Sequence, residues 1–237
     1  MTDLHTHILP GMDDGAKDAQ MSIEMLRMER EQGVDTVVLS PHFYGDRETA
    51  DQFLRRRNKS FETLKAQLEQ LDPRERESLP RLVLGAEVVW SSDLVECERV
   101  SELCIGQTKN LLLELPFTAW TNQMFNQMYD FMGRTGVMPV IAHLERYLKI
   151  QSKKHIREVL ELGVPIQVSA QILARPLAGH RAMNMLRRGQ AHLLATDCHD
   201  TDGRAPNMKS GLEIVRRKLG GGQAEKLILC ADELVEA

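Results

Sequence analysis

A small (β/α) barrel, one unit short of the usual eight, is the fold this chain predicts. Short apolar runs alternate with amphipathic stretches along all 237 residues. Most runs are continuously apolar, as in strands buried on both faces. Strand alternating with helix implies parallel βαβ units, and seven such units suit a chain of this length. An open doubly wound sheet is the competing arrangement.

The strand-like runs are residues 4–8, 36–40, 82–90, 111–115, 138–142, 165–170 and 191–196. Between them, Met21, Met25 and Met28 fall at helical spacing, and Leu54, Phe61, Leu64, Leu68 and Leu71 mark a longer helix. Ile156, Val159 and Leu160 make a short helix; Met208, Leu212, Val215 and Leu219 make another, and Leu227, Ala231 and Leu234 a last one. The polar segment 72–78 is expected as a surface turn, and Arg55, Arg56 and Arg57 as a solvated face of the long helix. No repeat, low-complexity tract or linker interrupts the pattern, so residues 1–237 are expected to form a single domain.

Composition narrows the function. Hydrophobic residues are 42% and charged residues 27%, which excludes a disordered or collagen-like chain. A net charge of −4 and a pI near 6.1 give no electrostatic reason to bind nucleic acid or an anionic membrane. No apolar run approaches the ~18 residues of a spanning helix. The N-terminus has neither the basic nor the apolar region of a secretory leader. Four scattered cysteines, at 97, 104, 198 and 230, fit a reducing, cytoplasmic setting.

The chemistry lies at the strand ends. His5 and His7 close the first strand and His42 the second; Glu87 lies late in the third; Glu114 and His143 close the fourth and fifth; Asp197 and His199 close the seventh. Asp14 follows in the loop after the first strand. In a parallel barrel these ends meet at one face. A lone histidine at a strand end is most often a hydrogen-bonded core residue. In His5-x-His7, however, residues i and i+2 share a face, so both imidazoles reach one ion, and Asp197-x-His199 repeats the geometry. Nine nitrogen and oxygen donors exceed what one tetrahedral ion needs and suit three metals with open positions. Three divalent ions against four carboxylates leave a positive pocket, for which phosphate is the natural guest. Without a thiolate among them, the nine fit manganese, iron or zinc.

Six segments stand out: Asp3-Leu-His-Thr-His-Ile-Leu-Pro-Gly-Met-Asp-Asp-Gly15, Ser40-Pro-His42, Gly85-Ala-Glu87, Leu113-Glu-Leu-Pro116, Ile141-Ala-His-Leu-Glu-Arg-Tyr147 and Thr196-Asp-Cys-His199. Together they resemble the PHP (polymerase and histidinol phosphatase) superfamily, and more closely its bacterial CpsB/CapC group. The resemblance implies a distorted seven-unit barrel of PHP type and a manganese-dependent protein-tyrosine phosphatase, hydrolysing phosphotyrosine with metal-activated water at a trinuclear site. It implies that His5, His7, Glu87 and Asp197 hold one metal, that Glu87 bridges to a second held by Glu114 and His143, and that Asp14, His42 and His199 hold a third. It points to Arg146 and Arg204 as phosphate binders, a role that guanidinium geometry suits. It names the partner as the phosphorylated tail of a tyrosine-autophosphorylating kinase that controls capsule or exopolysaccharide synthesis. Leu144, Cys198 and Asp200 depart from the group's usual Pro, Ala and Asn without removing a ligand; Asp200 adds negative charge beside the phosphate.

Two other functions compete: a phosphatase of a small alkyl phosphate such as histidinol phosphate, and a metal-bound module that grips a phosphopeptide without turnover. Cys198 to Arg204 also matches the C-x5-R pattern of cysteine-dependent phosphatases. Asp200 and Asp202 in that loop oppose a thiolate, and alternation along the strand turns Cys198 away from Asp197 and His199. Phe43, Tyr44, Trp90 and Trp120 follow strand ends and are the candidate walls for a phenol ring.

Overall fold

The computed structural model describes residues 1–236. Its strands are β1 (Thr2–Thr6), β2 (Thr36–Leu39), β3 (His42–Phe43), β4 (Arg81–Leu84), β5 (Glu87–Val89), β6 (Asn110–Glu114), β7 (Met138–Ile141), β8 (Gln167–Ser169) and β9 (Leu193–Ala195). The helices are α1 (Ala19–Glu31), α2 (Ala50–Leu68), α3 (Pro73–Ser78), α4 (Asn122–Thr135), α5 (Lys153–Glu161), α6 (Pro176–Arg187), α7 (Met208–Leu219) and α8 (Gly221–Glu236). All strand pairs are parallel, in the orders β1-β2-β4, β3-β5-β6-β7 and β8-β9. Isolated parallel bridges join Thr6 to Cys198 and Ile141 to Ile166, tying the sheets to one another. The alternating α/β architecture with parallel pairing is therefore as expected.

Two expected strands are interrupted. The run 36–40 ends at Leu39, and pairing resumes at His42 beyond Pro41, which has no N–H for a ladder. The run 82–90 breaks at Gly85 and Ala86 into β4 and β5. Gly85 sits so close to Val38 that an added Cβ would lie 3.0 Å from its Cγ1. The breaks fall side by side, and Glu87 N donates to Pro41 O across them (3.0 Å). They set the register that puts His42 beside Glu87, and Val89 beside Glu114.

Most helices begin where a side chain can take a free backbone N–H. Asp18, Thr121 and Ser152 each cap one, and Thr49 forms a reciprocal capping box with Gln52. The segment 72–78, expected as a turn, is the short helix α3, capped by Asp72 with Pro73 at its first position. Arg57 departs from the expected solvated face. It is buried, and its Nη1 donates to Gly85 O (3.1 Å) and Glu102 O (3.0 Å), so it clamps the β4–β5 break. Arg56 pairs with Glu48.

The main core lies between strands and helices. A second, smaller core gathers Leu4, Val38, Leu112, Val140 and Leu193, one from each of five strands, with Ala231 and Val235 of α8. Among the described residues, no helix is long and apolar enough to cross a membrane.

Candidate metal centre

The nine predicted donors form one contiguous cluster at the C-terminal ends of the strands. His5 Nε2 and His7 Nε2 lie 3.1 Å apart, and Glu87 Oε2 is 3.2 Å from the first and 3.4 Å from the second. Asp197 Oδ1 lies 3.5 Å and 3.6 Å from the same nitrogens. His143 Nε2 is 2.9 Å from Glu87 Oε1 and 3.5 Å from Glu114 Oε1. Asp14 Oδ1 is 3.3 Å from His199 Nε2 and 3.8 Å from His42 Nε2. Three groups have donor atoms near enough to share an ion: His5, His7 and Glu87; His42, Glu87 and Glu114; and His7, Asp14, His42 and His199. His7, His42 and Glu87 each belong to two groups, whereas the resemblance shares Glu87 alone.

Backbone strain aims two of the donors. His143 (φ 30°) and Asp197 (φ 54°) occupy left-handed conformations, at a cost of order 1 kcal/mol each for a side chain with a Cβ. Both residues lie past their strands rather than on them, since β7 ends at Ile141 and β9 at Ala195. Gly15 shapes the other side. A Cβ there would come within 2.1 Å of His7 O, so only glycine lets the Asp13–Asp14 turn fold down on His7.

Outer partners orient the imidazoles. His7 Nδ1 donates to Asp13 Oδ2 (2.8 Å), and Asp13 also accepts from His42 N and Gly15 N. His5 Nδ1 contacts Gln167 Oε1 (3.3 Å), which also accepts His143 N (2.7 Å). Sequence reasoning missed Asp13 and Gln167. With their Nδ1 protons committed, His5 and His7 point Nε2 at each other, an arrangement that calls for a proton or a metal ion between them.

Other atoms agree. Glu87 Oε2, His42 Nδ1 and His199 Nε2 are buried without a hydrogen-bond partner, although His42 Nδ1 lies only 2.9 Å from Glu87 Oε2. Close approach without hydrogen-bond alignment is how donors around an ion sit. These residues fit divalent metal.

Electrostatics favour the ligating form of His143, His199, Glu87 and Asp197. Burial pulls His143 down to about 4 and His199 to about 3, so both stay neutral. Burial opposes ionisation of Glu87 and Asp197. His5 with a hydrogen bond from His143 outweighs it for Glu87, and His5 with Arg146 for Asp197, so both stay below the usual carboxylate range. Glu114, buried beside Glu87, is pushed up to about 7. Burial resists charging of His7, but Asp13 and Glu87 raise it to about 10, so an ion at its Nε2 would displace a proton.

Arg146 pairs with Asp197 Oδ2, and Arg204 Nη2 lies 3.0 Å from Asp197 Oδ1. Both guanidiniums line a cavity of about 360 Å³ with Asp14, His42, Glu114 and Tyr44. Asp200 organises the loop carrying Arg204 by accepting the backbone N–H of Asp202 (2.8 Å) and of Arg204 (2.9 Å). That loop leaves no cradle for the C-x5-R chemistry, because these N–H groups are already taken. Cys198 is buried and donates to Glu29, and burial with the Glu29 and Asp3 charges pushes its thiol well up. Of the four candidate aromatics, Phe43, Trp90 and Trp120 are buried in the core. Tyr44 alone lines the cavity, joined by Phe117, which sequence reasoning passed over.

A family model described as "Capsular polysaccharide synthesis, CpsB/CapC" matches residues 1–235. The chain belongs to the CpsB/CapC family. Its relatives include the tyrosine-protein phosphatase CpsB of Streptococcus pneumoniae, 28% identical over 97% of this chain and 95% of that one. Another is the tyrosine-protein phosphatase YwqE of Bacillus subtilis, 29% identical over 93% and 85%. A solved structure from work on YwqE and CpsB, described as unique metal-dependent tyrosine phosphatases, superposes with a TM-score of 0.85 at 24% identity, over 100% of this chain and 94% of that one. An organophosphorus hydrolase mutant shares the fold more distantly, with a TM-score of 0.53 at 15% identity. The CpsB/CapC assignment thus covers the chain from β1 through α8, with every cluster residue inside the matched span.

Proposed function

We propose that this CpsB/CapC chain is a metal-dependent protein-tyrosine phosphatase. The observation that carries the proposal is the convergence of five imidazoles and four carboxylates in one cluster beside an open cavity that two guanidiniums line. His5, His7, Asp14, His42, Glu87, Glu114, His143, Asp197 and His199 would hold three divalent ions, manganese first among the candidates. Bound there, the ions would supply Lewis acidity toward phosphoryl oxygen and lower the pKa of water.

The chain's own residues do the rest. Arg146 and Arg204 offer planar forks to the non-bridging phosphoryl oxygens and stay charged throughout. Asp197 sits between them, so both forks are aimed before substrate arrives. Asp13 and Gln167 hold His7 and His5 in tautomers whose Nε2 face inward. Phenolate, with a parent pKa of ~10, leaves more easily than an alkoxide, which lessens the need for a strong general acid.

The substrate proposed is phosphotyrosine on a protein, as the names of the CpsB and YwqE relatives suggest. Its source would be the flexible tail of a tyrosine kinase governing capsule or exopolysaccharide synthesis, met in the cytoplasm. An open cavity suits a tail better than an enclosed one would. The chain would act as one domain whose strands close into a seven-unit barrel, β2 with β3 and β4 with β5 each counting as one interrupted strand. The sheet-joining bridges and the five-strand inner core support closure.

The test is kcat/KM on a phosphotyrosine peptide against histidinol phosphate. Preference for the peptide by about 10-fold or more supports the proposal. Preference for histidinol phosphate makes the protein an alkyl phosphatase. Tight peptide binding without phosphate release makes it a binding module.

A further inference from the structure

We propose that Tyr44 and Phe117 form the walls of a slot for the ring of an aryl phosphate, and that this slot makes the site prefer aryl over alkyl phosphates. The inference rests on the phosphatase reading above and names the residues behind its substrate choice.

The sheet order sets the spacing. β3, β5 and β6 are consecutive neighbours. Tyr44 directly follows β3, Val89 ends β5, and Phe117 comes three residues after β6. All three line the cavity that holds Arg146 and Arg204. Strands lie about 4.8 Å apart, so the outer two stand about 9.6 Å apart across β5. A flat ring in contact on both faces needs roughly 7 Å between its neighbours. Backbones that far apart leave room for a ring of that thickness over Val89.

Both walls are braced from behind. Phe117 packs at 5.0 Å on Tyr147, which is fully buried and donates its hydroxyl to Leu115 O (2.5 Å). Phe117 itself is 57% exposed. The ring therefore packs on the core by one side and meets water at the rim of the charged cleft by the other. Tyr44 is held by the Arg47 guanidinium, 4.0 Å from its ring centroid, and by His42 at 5.2 Å. Preformed walls lose little conformational freedom when a ring enters. A short alkyl phosphate engages the guanidiniums equally well but leaves both walls wet.

The test compares metal-loaded wild type, Phe117→Ala and Phe117→Trp. Each is assayed for kcat/KM on a phosphotyrosine peptide and on glycerol 2-phosphate. Calorimetry gives Kd for phenylphosphonate and methylphosphonate, which bind without turnover. Exposure of Phe117 lets the variants fold, and melting curves check this. The aryl-to-alkyl ratio is expected to fall about tenfold in Phe117→Ala, in both kcat/KM and Kd, and to recover in Phe117→Trp. Wild-type ratios kept by a folded Phe117→Ala protein that still hydrolyses the peptide overturn the slot and leave the phosphatase standing. Absence of phosphate release from either substrate by wild type overturns the phosphatase reading and the slot with it.

Discussion

Replacing Asp13 with Asn should cripple metal binding although Asp13 is not among the nine donors. Its two oxygens accept three N–H groups: Oδ1 takes Gly15 N (2.9 Å), and Oδ2 takes His42 N (2.8 Å) and His7 Nδ1 (2.8 Å). An amide has one oxygen and one NH2, so one side must set donor against donor. With NH2 on the His7 side, His7 Nδ1 has to become the acceptor. The ring proton then moves to Nε2, the nitrogen that faces His5. With NH2 on the Gly15 side, the turn that Gly15 packs onto His7 O is pushed away. Loss of such an outer partner lowers metal affinity about 10–100-fold, or ~1.4–2.8 kcal/mol. Chelator competition with Mn²⁺ on wild type and Asp13→Asn measures the change, and circular dichroism melting of the metal-free proteins confirms folding. A well-folded Asp13→Asn protein with wild-type affinity would refute the claim that Asp13 sets the His7 tautomer.

Three further outcomes are expected. Arg57→Met leaves Gly85 O and Glu102 O without their charged donor, so urea unfolding should reveal a loss of about 3 kcal/mol; a loss under ~1 kcal/mol would remove Arg57 as the clamp of the β4–β5 break. Glu29, buried beside Asp3, is raised well above the usual 4.5, so the folded state holds a proton that the unfolded chain releases, and stability falls as pH rises above 4.5. Glu29→Gln should therefore melt higher than wild type at pH 8, with a smaller gap at pH 5; equal gaps would contradict this sign. Arg146→Lys loses the planar fork while keeping the charge, and kcat/KM on the peptide should drop about 10²-fold, chiefly in kcat; a change in KM alone would make Arg146 a docking residue.

Much of this was legible in the sequence because strand ends in a parallel sheet converge, whatever the details of closure. That rule alone gathers His5, His42, Glu114 and His199 from positions almost two hundred residues apart. Breaks within strands escaped it, because 82–90 stays apolar through Gly85 and Ala86, where the chain leaves the ladder to bring Glu87 beside His42. Helix α4 also escaped, although Met124, Phe125, Met128 and Phe131 bury one helical face. Half of its remaining positions are Asn, Gln or Gly, which weaken the contrast with a loop. Helix α6 starts at Pro176 with no side-chain cap to announce it. Asp13 and Asp14 are chemically identical neighbours. Which one bonds His7 and which faces His199 depends on the turn that Gly15 permits, and spacing carries no trace of it. Arg57 looked solvated because a run of three arginines shows nothing of the carbonyls waiting at Gly85 and Glu102.

Phosphate release from a phosphotyrosine peptide by chelator-stripped protein, before and after Mn²⁺ is restored, tests the central claim most directly. The account predicts no activity in the stripped protein, recovery on adding Mn²⁺, and about three ions bound per chain at saturation. Full activity in the stripped protein would contradict it and return the loop from Cys198 to Arg204 to consideration as the catalytic element.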